Sequence, residues 1–439
     1  MSAPYLRCLS QDRSLSAGRA AATRWLGLWI ALAFFLAPVT QAQTYQVLHS
    51  FGGVDGAYPF AGLSMDSAGN LYGTTDMGGM LSCTQYPNGC GTVFKLKHSG
   101  SGWSLNSLYK FPGGSGGAGT MAEVAIGADG SLYGTTDVGG ILSCSPYDTG
   151  CGTVYKVRPP ERACATALCS WNEVVLYSFM GGADGALPGY GKPVFDSAGN
   201  LYNTVTEGGS TDCLAMGCGL VYKLTPLTNG WAKSVVHLFT GVDGQYPAGG
   251  VIFDNAGNIY GTTALGGGAG YGVVFELTPS GSGWTETVLY SFQGGSDGQY
   301  PEGGLVFDGS GNIYGATSYG GVHGGGTVFE LAPSGDGWTF QTLYNFGGSG
   351  FGPYGALVMD QAGNLYGTTY SGGSQGFGAV FKLTQSDHGW SYISLHDFTG
   401  GDDGGNPGCG VMFDASGNLY GTASTGGVYR DGIVWQVTP

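Results

Sequence analysis

The stretch DNAGNIYGTT, Asp254 to Thr263, recurs in seven versions and constrains this chain more than any other feature. Its tyrosine slot holds Tyr72, Tyr133, Tyr202, Tyr260, Tyr314, Tyr366 and Tyr420, at intervals of 61, 69, 58, 54, 52 and 54 residues. Each copy reads as a turn followed by a strand. One strand-built unit of that length cannot bury its own apolar face, so it stacks on the next, and the period specifies a radial array of sheets. Composition agrees. Gly accounts for 88 of 439 residues with no three-residue period, which excludes collagen, and 13% aromatics are too many for a disordered chain.

The repeat from Gly249 to Phe292 shows the unit. GVIFD (250–254) is a first strand, a, and Asn255-Ala256-Gly257 is a turn. NIYGTT is strand b, GVVFELTP (272–279) is strand c, and Trp284 to Phe292 is strand d. All six internal d strands carry Trp and Phe eight residues apart, from Trp103/Phe111 to Trp390/Phe398, with Tyr or His two residues before the Phe. Eight is even, so strand alternation puts both rings on one side of the sheet.

The two ends complete the count. TYQVLHSF (44–51) matches a d strand alone, and GIVWQVTP (432–439) matches a c strand without its d. The expected fold is therefore all-β. It is a seven-bladed β-propeller of four-stranded antiparallel blades, its ring closed by the N-terminal strand (44–51) completing the last blade. In such a meander the b–c and d–a loops share one face, here called the top. The b–c loops of blades 1 to 3 (76–90, 137–151 and 206–218) exceed the eight residues of the other four, and form a raised rim.

Residues 1–42 stand apart. Arg7, Arg13, Arg19 and Arg24 precede an apolar run from Trp25 to Val39, and Thr40-Gln41-Ala42 offers small side chains for cleavage. This reads as a signal peptide, with the propeller over 43–439. The run is short for a membrane span, and no later stretch approaches one, so a secreted or periplasmic protein is expected. Without residues 1–42 the chain holds 11 basic and 29 acidic residues, a net charge of −18. That surface repels nucleic acid and anionic lipid.

Eight cysteines form close pairs: Cys83 with Cys90, Cys144 with Cys151, Cys164 with Cys169, and Cys213 with Cys218. None has zinc-ribbon spacing, and disulfides across short loops fit an exported chain. Cys409, at a strand start, is expected to be a buried free thiol.

LYGTT, then GG and GTVFKL, with SF and DG.YP ahead of the next strand, resembles the GloVer tandem-repeat proteins, over residues 44 to 439. That resemblance implies an exported bacterial protein with a variable C-terminal anchor and no assigned reaction. An anchor is not evident after Pro439, which suggests release.

Comparison among the blades separates architecture from candidate chemistry. The a–b turn aspartates (Asp66, Asp196, Asp254, Asp308, Asp360 and Asp414) recur in six blades and read as turn caps. His49, His237 and His396 share a slot with tyrosines and read as packing groups. No hydrolase, zinc-protease or phosphate-loop motif occurs. The d–a loops carry Asp55, Asp184, Asp243, Asp297 and Asp403, each before Gly. They are either turn residues or a ring of oxygens at the channel mouth suited to Ca²⁺. No other cofactor is expected.

Acids that do not repeat mark a site better. Asp76 and Asp137 follow strand b in blades 1 and 2, and Glu207 lies one residue further along in blade 3, with Tyr86 and Tyr147 in the adjacent long loops. A solvated rim is the plain reading. Carboxylates beside aromatic rings also suit a sugar. The expected function is a monomeric binding module for a carbohydrate or protein ligand, over blades 1 to 3. The alternative is a hydrolase or lyase acting on a polysaccharide or lactone with these carboxylates. Convergence of the three, with a raised pKa, favours the enzyme.

Overall fold

Seven four-stranded antiparallel sheets, each in the order a-b-c-d, make up the described fold. The computed structural model describes residues 43–83, 86–100, 102–144, 147–160, 171–188, 190–335, 337–347 and 352–439. The expected leader, residues 1–42, lies outside the described residues. Blade 4 is typical, with strands Val251–Phe253, Ile259–Thr263, Val273–Ser280 and Gly283–Ser291. In blade 7, Met412–Phe413, Leu419–Ala423 and Ile433–Thr438 are completed by Thr44–Ser50, which pairs antiparallel with the last strand, Thr44 opposite Thr438. The N-terminal latch is therefore present, and the fold is a seven-bladed β-propeller.

Of the four expected disulfides, three are formed, Cys83 with Cys90, Cys144 with Cys151, and Cys213 with Cys218. The fourth expected pair, Cys164 with Cys169, falls within residues 161–170, outside the described residues. Cys409 is a free thiol, as expected, and is half-buried where full burial was expected.

One aromatic contact repeats across all seven junctions. The Phe after each d strand meets the c-strand aromatic of the next blade edge-on: Phe51–Phe94, Phe111–Tyr155, Phe179–Tyr222, Phe239–Phe275, Phe292–Phe329, Phe346–Phe381 and Phe398–Trp435. Ring centroids lie between 5.0 Å (Phe111–Tyr155) and 5.9 Å (Phe398–Trp435), the edge-to-face range. The same c-strand ring explains the glycine of LYGTT. Gly261 stands opposite Phe275 in the b–c ladder, and a Cβ there would sit 2.6 Å from the ring's Cζ. Gly73 under Phe94 and Gly315 under Phe329 repeat this at 2.6 and 2.5 Å.

The shared orientation expected of Trp and Phe on strand d does not hold. Every c–d ladder has a register shift just before the d-strand Tyr or His, as between Val274 and Phe275, which pair with Tyr290 and Val288. This β-bulge adds one residue and inverts the alternation beyond it. Trp therefore faces the preceding blade: Trp103 meets Tyr420, and Trp284 meets Tyr202. Phe faces the following one. Each d strand thus reaches both neighbours.

The turn aspartates act as expected. Asp254 Oδ1 accepts from the Ala256 and Asn258 amides, and Oδ2 accepts from Asn258 Nδ2 and Tyr260 Oη. Asp66, Asp196, Asp308, Asp360 and Asp414 repeat the pattern. In blade 2, where Gly127 replaces the Asp, Asp129 takes the Ser131 amide and Lys156.

The glycine argument predicts the outcome of two alanine variants. Gly261→Ala overpacks against Phe275 and should cost ~1–3 kcal/mol in urea unfolding. Gly283→Ala, whose Cβ would meet only Ser280 O at 4.0 Å, should stay within about 0.5 kcal/mol of the parent.

Candidate functional site

The ends of the b strands are held by the loops that enter each blade. The Asp76 amide donates to Tyr58 O at 3.1 Å, and the Asp137 amide to Gly119 O at 2.7 Å. Tyr58 and Gly119 adopt left-handed φ values of 54° and 71° to present these carbonyls. Glu207 exchanges both backbone hydrogen bonds with Ala186. The three disulfides described above staple the neighbouring loops.

The three acids are not on a solvated rim. Asp76, Asp137 and Glu207 are 8%, 9% and 6% exposed. They fall near one another: burial, then the charges of Asp76 and Glu207, push the Asp137 carboxyl up to about 7. Burial alone raises Asp76 to about 6 and Glu207 to about 7. In each, one oxygen (Asp76 Oδ1, Asp137 Oδ1 and Glu207 Oε2) is buried without a hydrogen-bond partner. Such atoms carry a desolvation cost that a donor from a ligand or water would remove.

Aromatic rings border the acids. A Cβ at Gly119 would stand 3.3 Å from Asp76 Oδ1 and 3.3 Å from Tyr86 Oη, so carboxyl and phenol close over that glycine together. Tyr147 is half-buried, and its hydroxyl has no hydrogen-bond partner. The a strands on this side of the axis are also polar. Ser64 Oγ donates to Glu123 Oε1 at 2.8 Å, and Lys192 pairs with Glu123. Burial, then the Glu123 charge, pushes the free Cys409 thiol up to about 12, so it is no nucleophile at neutral pH.

Sequence reasoning passed over Glu302. Burial raises it to about 7 against a hydrogen bond from Ser318, and its Oε2 is buried without a partner. Burial, and after it the Glu302 charge, raises the Tyr354 phenol, and burial is likewise the first cause of the rise at Tyr319. The other blades place Phe60, Met121, Tyr190, Ala248, Tyr354 and Gly408 in that slot. The rule that marked Asp76 therefore applies to Glu302 as well. A recess of ≈ 350 Å³ between blades 5 and 6 offers less chemistry. Burial of its Asp397 is outweighed by hydrogen bonds from Ser394 and Ser374, which hold the carboxyl below its usual value.

The five d–a loop aspartates are each engaged within their own loops. Asp55 accepts from the Gly52 amide and from His49 Nε2, and Asp243 from the Thr240 amide and His237 Nε2. Asp403 repeats this with Thr399 and His396, while Asp184 and Asp297 use Tyr177 and Tyr290. The three histidines are thus hydrogen-bonded as well as packed. The signal was legible: the two loops without Asp follow Tyr109 and Tyr344, and Tyr109 instead donates to Glu173 at 2.8 Å.

The raised carboxyls fix a pH dependence. The folded chain retains protons at Asp76, Asp137 and Glu207 that the unfolded chain releases near the ordinary values of 3.8 and 4.5. Stability therefore falls as pH rises from about 4 through about 7. The lowered turn caps Asp66, Asp196, Asp360 and Asp414 act in the opposite sense, losing their contribution as pH drops below 3.8. Thermal unfolding should show greatest stability near pH 4–5 by this balance. Asp137→Asn should flatten the decline above it and raise stability at pH 8 by ~1–4 kcal/mol, at ~1.4 kcal/mol per pKa unit.

The Gloeobacter/Verrucomicrobia repeat model matches residues 34–215 and 189–435, and the chain belongs to that family. No curated protein matches the sequence. Among solved structures, the extracellular domain of a one-component system of B. thetaiotaomicron is 12% identical, with a TM-score of 0.52. The match covers 89% of this chain and 40% of that one. A protein of Thermus thermophilus provisionally assigned as a glucose dehydrogenase is 14% identical over 90% and 100% of the two chains, at a TM-score of 0.44. A provisional 6-phosphogluconolactonase of Bacteroides fragilis is 12% identical over 80% and 86%, at 0.49. At these identities the likeness is one of fold.

Proposed function

We propose that this member of the Gloeobacter/Verrucomicrobia repeat family is an exported binding module for a carbohydrate, held on the top face over blades 1 to 3. The supporting observation is the set of three neighbouring carboxyls, each with one buried oxygen lacking a donor. Sugar hydroxyls supply such donors, and Tyr86 and Tyr147 offer rings for the apolar face of a pyranose. Disulfide-stapled loops hold these groups in place before the ligand arrives, which lowers the ordering cost of binding. The leader expected from the sequence of residues 1–42 and the three disulfides support a secreted or periplasmic location.

A second reading, hydrolysis or elimination on a polysaccharide or lactone, is favoured by the convergence of three raised carboxyls, the outcome expected of an enzyme; the unpartnered oxygen on each of the three, which a ligand donor would satisfy, favours binding. A group at about 7 beside another at about 6 resembles an acid–base pair.

A glycan array, followed by calorimetry on the full exported protein, separates the two. A bound sugar that donates to these oxygens favours their ionised form. Binding should then release protons, and affinity should rise with pH up to about 7. Asp137→Asn should weaken it ~10- to 100-fold, the worth of a charged hydrogen bond. Product formation with a bell-shaped pH profile, abolished by Asp137→Asn, would establish the enzyme instead. No glycan bound and none turned over would remove both readings.

A further inference from the structure

The seven junctions between neighbouring d strands carry different chemistry at one pair of positions. One position is the Tyr or His of a d strand, and the other lies two residues after the Trp slot on the next d strand. Blade 1 to 2 pairs Tyr109 with Glu173 through a hydrogen bond. Blade 2 to 3 sets Lys233 against Asp184 at 2.7 Å and over the Tyr177 ring. Tyr290–Phe340, Tyr344–Tyr392 and His396–Tyr45 are stacked rings. Leu105 holds the position following His49.

Blade 3 to 4 differs from all of these. The His237–Asp243 pair faces a second carboxylate, Glu286. In the equivalent position the His49–Asp55 pair has Leu105, His396 of the His396–Asp403 pair stacks on Tyr45, and Asp184 of the Tyr177–Asp184 pair meets an ammonium group. One ligand atom from each of His237, Asp243 and Glu286 lies within 4.8 Å of the others. An ion with bonds of about 2.0–2.2 Å holds ligand atoms no more than about 4.4 Å apart, so binding draws this set together by a few tenths of an ångström at most. Glu286 Oε1 is buried without a hydrogen-bond partner. Asp243 Oδ1 accepts from the Thr240 amide and hydroxyl, which leaves Oδ2 directed at His237. His237 and Asp243 are 17% and 20% exposed, shielded yet within reach of solvent.

We propose that His237, Asp243 and Glu286 form a binding site for a first-row divalent cation of the zinc or manganese type, bridging blades 3 and 4. One imidazole and two carboxylates suit those ions, whereas Ca²⁺ and Mg²⁺ prefer oxygen alone. The cation takes the place that the Lys233 ammonium fills one junction earlier. It replaces the hydrogen bond between His237 Nε2 and Asp243 Oδ2, the proton of that bond passing to solvent, and water completes its coordination. Its role is structural, since it ties the outer strand of blade 3 and the loop after it to the outer strand of blade 4.

The other junctions supply replacements that this fold already accommodates. The full chain, freed of metal with a chelator, is titrated with Zn²⁺, Mn²⁺, Ca²⁺ and Mg²⁺ while thermal unfolding and binding heat are followed. Zn²⁺ or Mn²⁺ should bind at one ion per chain and raise the unfolding temperature by mass action, with no response to Ca²⁺ or Mg²⁺. His237→Tyr and Glu286→Leu, copying other junctions, should weaken binding by at least roughly tenfold. His49→Tyr should leave it unchanged. Glu286→Lys, copying Lys233, should raise the unfolding temperature without metal and abolish the response to it. The proposal fails if no ion shifts unfolding, or if His237→Tyr and Glu286→Leu leave the shift intact. A response to Ca²⁺ equal to that of Zn²⁺ also overturns it. So does a rise in stability with Glu286→Lys when the parent binds no metal, because a proton alone then balances the junction.

Discussion

The edge-to-face contact between each d-strand Phe and the next blade's c-strand ring is the interaction on which the rest of the structure depends. Seven such contacts close on themselves, the last from Phe398 to Trp435 and the first from Phe51 to Phe94. Nearly all of these rings are completely buried, and large buried aromatics dominate packing energy. The contact also dictates much of the sequence. It favours a glycine in strand b, held in six of the seven blades, because the ring lies across that position. It requires a bulge in strand d, because without one the Phe would turn toward the wrong neighbour. Blade 3 tests the rule, since Asn203 holds the glycine slot. Its Nδ2 donates to Gly191 O at 2.7 Å, so the added bulk is matched by a buried hydrogen bond.

The fold was legible in the sequence to an unusual degree because repetition supplied seven readings of one unit. Blade count, strand order and the terminal latch follow from periodicity and from the unmatched strands at each end. The orientation of Trp103 relative to Phe111 did not follow. A bulge adds one residue without a Gly or Pro to announce it, so parity over eight residues misled. Comparison between slots would have found it, since Phe111 must reach the next blade while Trp103 reaches Tyr420 in the preceding one.

The candidate site was half legible. Asp76, Asp137 and Glu207 stood out because no other blade repeats them, and the structure brings them near one another. Their depth was hidden. A strand end beside a long polar loop looks exposed in sequence, but the disc converges toward its axis, and the neighbouring loops cover these side chains to within a tenth of full burial. The d–a aspartates show the converse. They looked like a ring around an ion because they repeat, and they repeat because each ties its own loop to a His or Tyr on the preceding outer strand.

Architecture and function divide the same slots in opposite ways. Where a position performs a structural task, its chemistry is either constant around the ring or exchanged for a group that makes the same bond, as Tyr177 to Asp184 replaces His49 to Asp55. Where an acid keeps one buried oxygen without a hydrogen-bond partner, as at Asp137, Glu286 and Glu302, desolvation raises its carboxyl and the fold loses stability at neutral pH by retaining it. A leucine, a glycine or a tyrosine occupies the equivalent slot in other blades at no such cost. Seven copies of one scaffold make that comparison internal to a single chain, and it marks the unsatisfied acids as residues that the architecture of the blades does not account for.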